Sequence, residues 1–123
     1  MEGIKANELR VNNIVLVKGK IDTLHRVGDN DYISENYGHG IDNVDLEPIP
    51  LTEEILLKCD LTPFGTEKIL WGCNDFYIRI IKNYVYKVEV KGYYMYLNYK
   101  LEHLHQLQNL YFALTNEELN IEL

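Results

Sequence analysis

Apolar residues fall in short β-prone runs through the first fifty positions. Ile14-Val15-Leu16-Val17 is followed by the polar turn Lys18-Gly19-Lys20 and then by Ile21-Asp22-Thr23-Leu24-His25-Arg26-Val27, which reads as a hairpin. Gly28-Asp29-Asn30-Asp31 is a second turn signal. Tyr32-Ile33 begins a third strand, and the Gly38-His39-Gly40 loop leads into a short segment at 41–46. Strands this short, separated by polar turns, predict a small curved antiparallel barrel of SH3-like type over residues 1–50.

Pro48-Ile49-Pro50 closes that section, because proline cannot continue a ladder and holds its predecessor extended. Beyond it Thr52 is a suitable N-cap, Glu53 and Glu54 occupy a first turn where the helix dipole favours carboxylates, and Leu51 can staple onto Leu56; a helix over 53–59 follows. Leu61-Thr62-Pro63-Phe64-Gly65 breaks it and leads to strand-like sequence at 69–71. The strongest β signal comes next: 76–82, 84–91 and 93–99, separated by turns at Asn83 and Lys91-Gly92, form a three-strand meander. Alternation assigns Phe76, Ile78, Ile80, Tyr84, Tyr86, Val88, Val90, Met95 and Leu97 to a core face. The reverse face receives Tyr77, Arg79, Lys87, Lys91, Tyr94 and Tyr96, and a slip of one residue would exchange the two sets. From 103 to 114 the spacing turns helical, with Leu104, Leu107, Leu110, Tyr111 and Leu114 on the side that covers the sheet. Asn116 suits a left-handed cap, and 120–123 offer a last edge strand. The expectation is an α+β protein: a small antiparallel barrel at 1–50, then at 51–123 a helix, a Tyr-rich antiparallel meander and a C-terminal helix packed as one globular unit.

With 123 residues the chain suits one domain or two closely packed subdomains. A hydrophobic fraction of 46% and a charged fraction of 25% exclude the disordered and low-complexity classes. No apolar run approaches the roughly 18 residues of a spanning helix, Met1-Glu2-Gly3-Ile4-Lys5 lacks the apolar core of a signal peptide, and two cysteines are too few for a disulfide framework; a cytoplasmic protein is expected. A net charge of −7 argues against bulk nucleic acid and anionic membranes as partners. The charge is divided. Residues 28–54 hold eight acids and no Lys or Arg, whereas 68–100 hold six basic residues against Asp75 and Glu89. Without a ligand, both would simply be solvated faces.

Sites for chemistry are scarce. Ser34 is the only serine and has no adjacent histidine, Cys59 falls on the predicted helix as a core residue, and Cys73 lies in a Gly-Cys-Asn turn with no cationic neighbour in sequence. Neither Cys-x-x-Cys nor His-x-x-x-His spacing occurs, and His103 and His105, two apart, would point to different sides of a helix, so no metal is expected. The scattered glycines do not open a helix as a phosphate-cradling loop does. No catalytic residue and no cofactor follow from these positions. Tyrosine departs furthest from background: ten in the chain, seven of them from Tyr77 to Tyr99, interleaved with Arg79, Lys82, Lys87, Lys91 and Lys100. Aromatic faces stack on a nucleobase while Lys or Arg compensates phosphate; Tyr and Arg also anchor protein interfaces, and tyrosine is a favoured strand residue in any case.

Three segments carry a resemblance: Asn7-Glu8-Leu9-Arg10-Val11-Asn12-Asn13-Ile14-Val15, Glu47-Pro48-Ile49-Pro50-Leu51-Thr52-Glu53-Glu54 with Leu56-Leu57-Lys58, and His105-Gln106-Leu107-Gln108-Asn109-Leu110-Tyr111-Phe112-Ala113-Leu114-Thr115. Together they resemble a family of small uncharacterised proteins of gut Bacteroidetes, their bacteriophages and mobile elements. The resemblance implies a phage or mobile-element context in a host cell, where small proteins act as host-defence antagonists or sequestering factors, and it carries no site residues. In the last segment, the amides of Gln106, Gln108 and Asn109 are placed to hydrogen-bond a neighbouring sheet, and Tyr111-Phe112 are core or, alternatively, a homodimer contact. Two functions remain open: a non-catalytic binder that holds a nucleotide-like anion on Tyr77, Arg79, Lys87, Lys91, Tyr94 and Tyr96, or an interaction module that inhibits a host protein.

Overall fold

In the computed structural model, which describes residues 4, 8–28, 31–38, 40–73 and 75–123, three pairs of consecutive residues take positive φ: Lys18-Gly19, Lys82-Asn83 and Lys91-Gly92. Two adjacent left-handed residues make the two-residue turn whose twist matches that of antiparallel strands. Each pair closes a hairpin. The predicted turn at 28–31, the loop at 38–40 and the end of the Gly-Cys-Asn turn include residues 29, 30, 39 and 74, which lie outside the described residues. The chain divides into two compact units: Met1–Pro50 with His103–Asn109, and Leu51–Glu102 with Leu110–Leu123.

The first unit holds strands β1 (Ile14–Val17), β2 (Lys20–Val27), β3 (Tyr32–Ser34) and β4 (Leu46–Glu47), antiparallel in the order β3-β2-β1-β4. β3 and β4 are edges, so the sheet is open and not a closed barrel. The register shifts between Leu24 and Arg26. Segment 41–46 is mostly not strand: Ile41 bridges to Tyr32, a single 3-10 turn spans Asn43–Asp45, and only Leu46 joins the sheet. Val15, Val17, Leu24, Tyr32, Ile41 and Leu46 pack with Ile4 and Leu9 as the core. Within it, the buried Asp22 carboxylate accepts hydrogen bonds from the Ser34 hydroxyl (2.7 Å) and from the Thr23 and Asn36 N–H groups (2.9 and 3.2 Å), which offsets the cost of burying a charge.

A helix from the far end of the sequence completes this unit. α2 (Leu104–Thr115) contributes its residues 104–109, and the buried Gln108 amide meets the start of β1. The Ile14 N–H donates to Gln108 Oε1 (2.8 Å) and Gln108 Nε2 donates to the Asn12 carbonyl (3.0 Å). Asn109 accepts from Asn13 Nδ2 (2.8 Å) and donates to the Glu8 carbonyl (2.7 Å). Gln106 instead accepts from the His103 N–H at the head of the helix (3.0 Å).

In the second unit, α1 (Glu53–Lys58) begins at Thr52, whose Oγ1 accepts the Ile55 N–H (3.2 Å). Strands β5 (Thr62–Phe64), β6 (Leu70–Cys73), β7 (Phe76–Ile81), β8 (Tyr84–Val90) and β9 (Tyr93–Lys100) follow in simple antiparallel order. β5 occupies the segment expected only to break the helix; Pro63 is tolerated because β5 is an edge and proline need not donate outward. Trp71, Phe76, Ile78, Val85 and Val88 are buried, and Tyr111 from the second half of α2 packs edge-on against Phe76 at 4.9 Å between ring centroids. Tyr111 is therefore core. Asn116 takes φ 59° just past the helix, and its N–H reaches the Phe112 carbonyl (2.8 Å). Residues 120–123 form no strand; the Glu122 N–H bonds the Lys58 carbonyl at 2.9 Å.

Candidate functional site

Directly opposed residues in an antiparallel sheet share a face, so the register builds the site. Two rows cross the second sheet on its less buried side. One runs Thr62, Gly72, Tyr77, Glu89, Tyr94; the next runs Phe64, Leu70, Arg79, Lys87, Tyr96. The opposite side carries the buried Trp71, Phe76, Ile78 and Val88. Tyr77, Arg79, Lys87, Tyr94 and Tyr96 thus stand together, as the alternation predicted. Lys91 does not join them: it sits in the β8–β9 turn at φ 50° and lines a separate hollow with Asp75, Phe76, Tyr111 and Glu117.

Strict alternation fails in one place. The β7–β8 register shifts between Arg79 and Ile80 and the β8–β9 register between Val85 and Lys87, with Tyr86 at the irregularity. In consequence Val85, not Tyr84 or Tyr86, is buried opposite Ile80, while Tyr84 is exposed. Bulges of this kind re-aim side chains. Tyr86 lines a broad hollow of about 400 Å³ with Phe64, Glu67, Leu70 and Arg79.

The centre of the open face is a smaller hollow of about 170 Å³ lined by Leu70, Tyr77, Arg79, Lys87 and Glu89. Tyr77 closes one end by lying across Gly72, where an added Cβ would run into the ring, and Phe64 tilts against it at 5.7 Å. At the other end the Lys87 ammonium stands 4.7 Å from the Tyr94 ring centre and 5.8 Å from that of Tyr96, the two rings meeting edge to face at 5.6 Å. Arg79 and Lys87 face each other across β7 and β8, an arrangement of like charges that costs stability. Among the described residues neither cation belongs to an ion pair, and Glu89 is the acid beside them. Glu89, Leu70, Phe64 and Gly72 were not anticipated. Alternation from Lys87 reaches Glu89, whereas the residues of β5 and β6 join the face only through strand pairing.

Other expected chemistry is arranged differently. Burial, with Asp60 adding to it, pushes the Cys59 thiol up to about 12, and the half-buried Cys73 is raised by the same causes, so both favour the unreactive thiol. His103 and His105 do not diverge: His103 precedes the helix, and the rings stack at 5.7 Å with 10° between planes. Among the described residues no three His, Cys, Asp or Glu side chains gather as a metal site, and no helix is long and apolar enough to cross a membrane. In the acidic stretch, Asp31 pairs with Arg26 (3.3 Å), Glu53 with Lys68 (3.0 Å) and Glu54 with Lys58 (3.9 Å).

No family model, curated protein or solved structure matches the chain.

Proposed function

We propose that this is a non-catalytic binding protein whose open sheet face holds a small nucleotide-like anion in the cytoplasm of a host cell. The observation that carries it is the opposed Arg79–Lys87 pair, left without a paired acid and flanked by tyrosine rings. An anion between the two cations relieves their repulsion. The hollow there is smaller than the roughly 300–1,000 Å³ that encloses a whole drug-sized ligand, so it suits a phosphate-sized group, with the attached ring laid on exposed Tyr94 and Tyr96. Glu89 would accept hydrogen bonds from hydroxyl or amine donors of the same ligand. Resemblance to phage and mobile-element proteins gives such a binder the role of sequestering its ligand. The first unit, with four short antiparallel strands and a register shift in β2, is read as an SH3-like support.

Calorimetric titration with linear and cyclic nucleotides tests the proposal. Arg79→Ala and Lys87→Ala should each weaken binding about tenfold to a hundredfold, the range of a charge-assisted hydrogen bond, and Tyr94→Ala by a similar factor through lost stacking. Absence of heat with every nucleotide removes this ligand class. Exposure of Tyr94 and Tyr96 beyond the hollow favours, as a second reading, a host protein held on the same face. Capture from host lysate that Arg79→Glu abolishes would support that second reading.

A further inference from the structure

β9 is the outer strand of the five-stranded sheet, and an edge leaves every second N–H and C=O without a ladder partner. Proteins normally blunt such edges with charge, proline or brevity. The far edge of this sheet does so: β5 has three residues and Pro63 among them. β9 has eight, and Tyr93–Tyr99 includes no charged residue, proline or glycine. Tyr93 is 84% exposed, Tyr96 70% and Met95 46%.

We propose that β9 pairs antiparallel with β9 of a second copy of this chain. Charge points to this occupant. Lys100 at one end lies 3.3 Å from Glu102, Lys91 at the other stands in the turn outside the strand, and the residues between carry no charge, so the length of the edge offers neither an acidic nor a basic strand a counter-charge. Its complement is a neutral strand, and β9 is one. A two-fold axis through Tyr96, normal to the sheet, keeps each face with its like. That register sets Met95 opposite Leu97 of the partner subunit, Tyr94 opposite Asn98 of the partner subunit and Tyr93 opposite Tyr99 of the partner subunit. Lys100 then meets Gly92 of the partner subunit. No like charges are opposed, apolar residues meet apolar residues, and aromatic pairs of this kind stabilise antiparallel strands. The interface is isologous, and the open faces of the two sheets become continuous. This proposal does not depend on the nucleotide reading.

Sedimentation equilibrium of the full chain from micromolar to submillimolar concentration should show a monomer–dimer equilibrium. Met95→Lys should raise the dissociation constant at least tenfold while leaving the melting temperature of the monomer unchanged. In a Cys73→Ser background, Tyr96→Cys on the axis should form a disulfide-linked dimer on mild oxidation. Tyr94→Cys should do so only when mixed with Asn98→Cys, because the proposed register separates the two copies of residue 94 by four positions. A monomer throughout the range, a dimer indifferent to Met95→Lys, or Tyr94→Cys linking to itself as readily as Tyr96→Cys would overturn the proposal.

Discussion

Single side chains hold the sharpest chemistry outside the open face. His105 is completely buried, neither ring nitrogen has a hydrogen-bond partner, and burial, reinforced by His103, lowers its pKa to about 4. The Glu8 carboxylate, 3.9 Å from Nε2 but partly solvated, opposes this weakly. The folded protein therefore keeps His105 neutral at pH values where the unfolded chain binds a proton. Above the ordinary value of 6.5 protonation takes nothing from stability; as pH falls from 6.5 to about 4 it removes stability, and below that the loss is constant. The full effect is roughly 3 kcal/mol, each pKa unit being worth about 1.4 kcal/mol. Denaturant melts at successive pH values should show this loss in the natural protein, and His105→Phe should remove most of it. An undiminished slope in that variant would place the acid sensitivity elsewhere. None of this was legible in the sequence, where His103 and His105 differ in nothing but a place at the head of a helix.

At the scale of elements, local pattern carried far. Hairpin turns, the N-cap at Thr52, the α2 periodicity and the three-strand meander all follow from residue type and spacing, because each is decided within a few positions. Departures arise where a partner strand decides. The shift at Tyr86 buries Val85 in place of Tyr84 and Tyr86, and β5 exists because β6 offers it an edge; neither is encoded in local alternation. The amides of α2 are intermediate, for their polarity showed in the sequence while their target did not. Gln108 meets β1 with its carboxamide as a further peptide unit would, accepting from Ile14 and donating to Asn12. Gln108→Met keeps the length and loses both bonds to the part-buried backbone at the start of β1. Stability in urea should fall by about 1–3 kcal/mol, since each of the two hydrogen bonds is worth about 0.5–1.5 kcal/mol net. A change below about 0.5 kcal/mol, as at an ordinary surface site, would mean that water replaces the amide at no cost.

The molecule as a whole is not assembled in sequence order. The first unit includes 103–109, so its strands depend on a segment more than fifty residues beyond their own end. No composition shift announces that return. A fragment of residues 1–50 lacks Gln108, Asn109, Leu104 and Leu107 together, and should give an unfolded far-ultraviolet dichroism spectrum and collapsed amide shift dispersion, whereas the full chain gives dispersed shifts. A cooperatively melting fragment would show that the sheet stands without the helix. Charge was legible only as a division: basic residues from 68 to 100 mark the region of the open face, but Lys91 shares the stretch without sharing the surface. The two edges of the larger sheet differ in kind. β5 ends in three residues with a proline, and β9 runs for eight with none. A sheet closed to growth on one side has a valence of one, so pairing through β9 would end with two molecules and would not carry this sheet on into a fibre.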